Sequence, residues 1–164
     1  MVQDKKDVLL LFDALRDPRD MAQMIHLAIA AGVKIELSGN SISPNHPKVI
    51  NIVDSWILGF KKSPNLSMIE NKGDYFLRVE ELKKKGYAVL GTSSNFGENI
   101  YKSDISKGKH AIVFGTETSG LSREKASVLD GVIKVPMKSP AKFFTICVVA
   151  PVILFEALRQ KKLI

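Results

Sequence analysis

Apolar and polar positions alternate in blocks along the chain, and the blocks predict strands and helices in turn. Residues 8–12, Val-Leu-Leu-Leu-Phe, form a short apolar run that reads as a buried strand. Asp17 and Pro18 then open a helix, with Asp17 at the N-cap and Pro18 at the first helical position. Met21, Met24, Ile25, Ala28 and Ile29 fall at helical spacing, and Gly32 stops the run. Residues 33–37 read as a second strand, followed by a loop rich in Ser, Gly, Asn and Pro. Residues 46–58 read as a helix and 66–69 as a short strand. Asp74 caps a further helix through Lys85, which Gly86 ends. Residues 87–90 and 110–114 read as strands, 122–129 as a short helix capped by Ser122, and 132–135 as the last strand. The last helix, 144–161, is apolar nearly all round and so is buried on more than one side. Pro151 inside it predicts a kink or a break near Cys147.

Strands alternating with helices imply an α/β fold: a mainly parallel sheet with helices on both faces. The 164 residues suit one domain over 1–164, and no linker, repeat or low-complexity tract interrupts them. No apolar run reaches membrane-spanning length, and the N-terminus lacks a secretory pattern. The one cysteine, Cys147, excludes an internal disulfide and suits a reducing cytosol; on an apolar helix it reads as packing. Twenty-four Lys and Arg against 17 Asp and Glu leave a formal charge of +7. That charge suits a polyanionic partner, or simply a soluble basic surface, since the lysines are spread along the chain.

The candidate chemistry lies in the last third. Residues 111–122 run from a strand, Ala-Ile-Val-Phe, into a turn with Gly115, Glu117 and Gly120. Glycines at such a turn permit close backbone approach and positive φ, either for a ligand or for a plain strand-to-helix turn. The Lys-Ser/Thr ending of a P-loop is missing, and no Gly-x-Gly-x-x-Gly follows the first strand. Thr92 and Ser93 stand in the polar loop after an earlier strand. Ile133, Val135 and Met137 line a stretch that offers backbone groups and apolar walls to a planar ring. Two strands with loops leaving their C-terminal ends make a crevice of the kind in which α/β sheets bind nucleotides.

In order, Ile112-Val113-Phe114-Gly115-Thr116-Glu117, Gly120-Leu121-Ser122, Val135-Pro136-Met137 and the closing Glu156-Ala157-Leu158-Arg159-Gln160 resemble the SpoU (TrmH-like) family of the SPOUT superfamily. Asp17-Pro18-Arg19-Asp20 and Ala30-Ala31-Gly32-Val33 fit the family's first motif region, so the resemblance covers nearly the whole chain. It implies a SPOUT domain with a C-terminal trefoil knot and no separate RNA-binding extension. It also implies a cytoplasmic homodimer that binds S-adenosyl-L-methionine, without a metal, and methylates a ribose 2′-hydroxyl of tRNA or rRNA.

On that resemblance the cofactor is held by Thr92, Ser93, Gly115, Glu117, Gly120, Ile133, Val135, Met137, Phe144 and Thr145, and RNA by Arg19 and Lys142. The chain departs from the family at two places. An Asn and an Arg of the first motif become Asp20 and His26, and Gly, Ser, Leu and Asn of the third become Ser139, Phe143, Phe144 and Thr145. Arg is a permanent cation, whereas His is neutral over much of physiological pH. Two readings follow. In one, His26 is the general base, oriented by Asp20 or Glu117; in the other, the chain binds RNA or a partner without catalysis. Phe143 adds bulk where a small polar group would sit and threatens to plug the cofactor socket.

Overall fold

A computed structural model of the chain describes residues 7–57, 69–116 and 119–164. The first apolar run becomes β1 (Val8–Asp13), whose six residues are all buried. Burial on both sides is what a central parallel strand requires. β1 pairs in parallel with β2 (Lys34–Ser38) on one side and β5 (Lys109–Phe114) on the other. β3 (Tyr87–Thr92) lies between β5 and β6 (Gly131–Lys134), and β4 (Glu98–Asn99) closes the far edge against β6. The order is β2-β1-β5-β3-β6-β4, and every pairing of these strands is parallel.

β4 has no counterpart in the hydrophobic pattern. Two polar residues make no apolar run, and the strand exists only through its pairing with β6. The strand expected over 66–69 falls, except for Ile69, outside the described residues. The segment just beyond it meets the β2 edge instead. Leu37 N–H donates to the Glu70 carbonyl at 3.0 Å and Lys72 N–H to the Leu37 carbonyl at 2.7 Å.

Period-two alternation sends successive β1 residues to opposite faces. Val8, Leu10 and Phe12 join a core with α1 (Pro18–Ala31), α2 (Pro47–Trp56) and α5 (Ile146–Gln160). Leu9 and Leu11 join Val89, Ala111 and Val113 under α3 (Tyr75–Lys84). A short α4 (Arg123–Ser127) follows β5.

Caps fix the helix starts as the pattern predicts. Asp17 Oδ1 accepts from Arg19 N at 2.7 Å, Asp74 Oδ1 from Leu77 N at 2.9 Å, and Ser122 Oγ from Lys125 N at 3.2 Å. α5 starts later than expected, with Phe144 outside it and Thr145 at its N-cap. It also runs from Ile146 to Gln160 without a break at Pro151. A proline in the second turn deletes one bond, to the Cys147 carbonyl, while the packing of Ile146, Ala150, Ile153, Leu154, Ala157 and Leu158 into the core holds the remainder. Among the described residues no helix is long and apolar enough to cross a membrane.

Candidate functional site

The C-terminal ends of β3, β5 and β6 release three loops that meet around an open cleft of about 1040 Å³. After Phe114 the chain folds back on itself. Gly120 N–H donates to the Thr116 carbonyl at 2.9 Å, and Thr116 N–H to the Gly120 carbonyl at 3.3 Å. Ser119 N–H adds a bond to Thr116 Oγ1 at 3.2 Å. Gly115 is required here, because a Cβ on it would lie 2.2 Å from the Gly120 carbonyl carbon. Gly120 has φ +65°, the left-handed region where glycine is at ease. Ser93 N–H donates to the Ile133 carbonyl at 3.1 Å, which pins the β3 loop to β6. Beyond β6, Val135, Pro136 and Met137 form one wall, with Ile146 and Val149 of α5 below.

Of the residues singled out above, Thr92, Ser93, Gly115, Gly120, Val135, Met137 and Phe144 line this cleft, as does Lys142. Ile133 is buried behind it and contributes the carbonyl that holds Ser93. Thr145 stands beside the wall as the α5 N-cap, its carbonyl accepting from Val148 and Val149. Glu117 lies outside the described residues. Phe143 does not plug the cleft: its side chain lies on the rim and is 64% exposed. Phe96 and Lys134 also line the cleft and drew no attention as sequence. An aromatic inside the polar loop Ser93-Ser94-Asn95-Phe96-Gly97 was the signal available for the first.

Asp20 and His26 are not brought together. Their spacing on α1 places them about 120° apart around the helix axis. Asp20 Oδ1 accepts from Cys147 Sγ at 3.1 Å, at the start of α5 and next to the cleft-lining Ile146. Cys147 is therefore a half-buried hydrogen-bond donor as well as packing. The exposed His26 sets its ring edge-on to Trp56 of α2, with centroids 5.7 Å apart. Arg19 is exposed near the start of α1.

Among the described residues, the charged side chains of the cleft walls are Lys134 and Lys142. Among the described residues, a carboxylate at this end of the sheet is engaged elsewhere. Asp13, ending β1, accepts from Ser38 Oγ at 2.9 Å and from Lys125 Nζ at 2.5 Å. Tyr75 completes that cluster, its hydroxyl donating to the Lys125 carbonyl at 3.0 Å. Burial, with Asp13 adding to it, pushes the Tyr75 phenol well above its usual range. The cleft itself offers backbone polar groups, hydroxyls, apolar walls and two cations.

A parallel sheet that opens a backbone-lined cleft where its strands end defines an α/β domain built to hold a nucleotide-like ligand. The SpoU rRNA methylase family matches residues 7–154, and the chain belongs to that family. Membership implies the knotted C-terminal fold of the SPOUT superfamily. Curated relatives include the 23S rRNA (guanosine-2′-O-)-methyltransferases RlmB of Shewanella oneidensis and Vibrio cholerae. The former is 28% identical over 94% of this chain and 60% of its own length, and the latter 28% identical over 98% and 62%. The chain thus spans about three-fifths of these relatives. Among solved structures, an AdoMet-bound rRNA methyltransferase from Sinorhizobium meliloti aligns with a TM-score of 0.80 at 20% identity, over 96% of this chain and 57% of that one. A structure described as giving insight into 2-OH methylation of C/U34 on tRNA aligns at TM-score 0.80 and 20% identity, over 94% of this chain and 96% of that one.

Proposed function

We propose that this chain is an S-adenosylmethionine-dependent RNA methyltransferase acting on a ribose 2′-hydroxyl of tRNA or rRNA. The observation that carries the reading is the three-loop cleft, built around the Gly115 turn in a chain of the SpoU family. The cleft fits the cofactor. Gly115 leaves the backbone bare where a nucleoside must approach, and apolar walls stand opposite backbone groups that can read an adenine edge. In this reading Thr92, Ser93, Gly115, Gly120, Val135, Met137 and Phe144 bound the cofactor, with Ile133, Glu117 and Thr145 supporting it. When bound, S-adenosylmethionine supplies an electrophilic methyl group on sulfur.

What remains for the chain is to hold a hydroxyl in line and take its proton. Among the described residues, Asp20 is a carboxylate within reach of this task, since its partner Cys147 follows the cleft-lining Ile146. His26 packs against Trp56 and does not line the cleft, and in this reading it would reach RNA across a dimer. A homodimer through α1 and α5 has support in the apolar side chains that α5 leaves in solvent, Val148 and Phe155, and in exposed Trp56 beside His26. Lys142 and Arg19 would neutralise phosphates. RNA as substrate and a single free thiol suit the cytoplasm.

A second reading, RNA binding or scaffolding without catalysis, is favoured by one observation. The charged groups of the described cleft walls are cations, which bind RNA well but take protons poorly at neutral pH. Calorimetry with S-adenosylmethionine, followed by labelled methyl transfer to total RNA and analysis of 2′-O-methylnucleosides, separates the two. Cofactor binding with transfer is the expected result. Binding without transfer selects the second reading, and no binding at millimolar cofactor overturns the first.

A further inference from the structure

We propose that Phe143, with Lys142 beside it, is the platform on which the base of the target nucleotide stacks, and that the target is therefore an unpaired nucleotide of weakly restricted base identity. The inference rests on the RNA methyltransferase reading above. It begins from covalent geometry. The 2′-hydroxyl and the base hang from neighbouring carbons of one ribose. A hydroxyl presented to a methyl group inside the cleft must leave its base at the cleft mouth.

The mouth is aromatic. Phe143 is 64% exposed on the loop after β6, and Phe96 is 45% exposed on the loop after β3. Phe144 joins Phe143 on the same rim. A single exposed phenylalanine is ordinary. Rings from two loops on the edge of one ligand cleft offer exposed faces to a planar partner. A duplex keeps its bases stacked inside, so only a splayed-out base can cover these rings.

Charge selects the occupant. Lys142 precedes Phe143 in the chain, and Lys134 is the other charged side chain of the described walls. Cations next to an exposed ring match a base with its phosphate, the combination that single-stranded nucleic acid presents. An apolar protein partner would need the rings and gain nothing from two unpaired cations. Every base has a π-face, so recognition by stacking tolerates base identity. On the resemblance described above, Phe143 stands where the SpoU pattern has a small polar residue, so the platform would be a property of this chain.

The test uses a short, unstructured oligouridylate carrying one 2-aminopurine, whose fluorescence is quenched on stacking. Wild type and F143W are expected to quench it on binding. F143A is expected to lose the quench and about 5- to 150-fold in oligonucleotide affinity, with S-adenosylmethionine affinity by calorimetry unchanged. K142A is expected to retain the quench while the salt dependence of binding falls by about one phosphate. Wild-type quench and affinity in F143A would overturn the platform. So would a changed oligomeric state of F143A in sedimentation, which would make Phe143 a protein contact. The wild-type cofactor titration is read separately: failure to bind S-adenosylmethionine removes the methyltransferase reading and this inference with it. Cofactor binding with unimpaired F143A removes the platform alone.

Discussion

The two halves of the sheet end differently. At the β2–β1 half, charge is buried and fully engaged. Arg78 of α3 makes a two-pronged contact with Glu36 of β2, Nε to Oε2 at 2.7 Å and Nη2 to Oε1 at 2.8 Å, with both side chains almost wholly out of water. Asp13 has both oxygens occupied by Ser38 and Lys125. At the β5–β3–β6 half, the same strand ends open into loops whose backbone, hydroxyls and lysines face solvent. Asp13 is ion-paired and out of water, so a substrate has no open approach to it. The closed half can therefore stiffen the sheet, and the open half is where a ligand can be met. The difference teaches that burying a charged residue and giving it a chemical task are separate uses of charge in this fold.

If the halves are separate, they should fail separately. Replacing Arg78 with Ala strands Glu36 in the core, with the half-exposed Lys34 its remaining cation among the described residues. The expected cost is about 3 kcal/mol, the lower end for breaking a buried pair. It is read as a lower denaturant midpoint, with S-adenosylmethionine affinity intact under conditions where the variant is folded. If affinity fell in step with stability, the two halves would be one energetic unit.

Gly115→Ala attacks the open half. The added Cβ meets backbone at 2.2 Å, so the turn over 116–120 must shift. A displacement of that order at a cofactor loop costs about 100-fold in methyl transfer or cofactor affinity. The backbone clash at this buried position also lowers the unfolding midpoint, so affinity is compared under conditions where the variant is folded. Wild-type cofactor affinity in this variant would show that the Gly115 turn is not part of the binding surface.

Much of this division was open to reading before any coordinates. The runs that become β1, β2, β3, β5 and β6 are apolar stretches flanked by residues with a mechanical reason to stop or start them. Asp17, Asp74 and Ser122 cap the helices they precede. What stayed hidden depends on the strand order. β4 has no apolar pattern of its own, and the three cleft loops converge only because β5, β3 and β6 are neighbours. Side-chain partners were hidden for the same reason. The spacing placed Asp20 and His26 on one helix, yet Cys147 and Trp56 decide what each faces. Phe143 was legible as bulk; whether bulk fills a socket or borders it is a matter of where the loop runs.

The smallest effect belongs to α5, which joins the two halves by running beneath the cleft and down the core. Arg159 donates to both oxygens of Glu156 at 2.8 Å, and Gln160 adds a bond at 2.9 Å. The Arg159 guanidinium beside Glu156 holds its carboxyl down to about 2. The folded value lies below the ordinary carboxylate value near 4.5. At pH above about 4.5 the carboxylate is ionised in both states and the full stabilisation is present. As pH falls from there toward about 2, the unfolded chain takes up the proton first, and the stabilisation drains away. Arg159 is largely in solvent, so screening keeps the contribution of the pair small. Arg159→Leu should therefore lower the urea midpoint slightly at pH 7 and flatten the stability profile between about pH 4.5 and 2. An unchanged acid limb in that variant would show that the pair stabilises nothing, and that α5 is held by its apolar contacts alone.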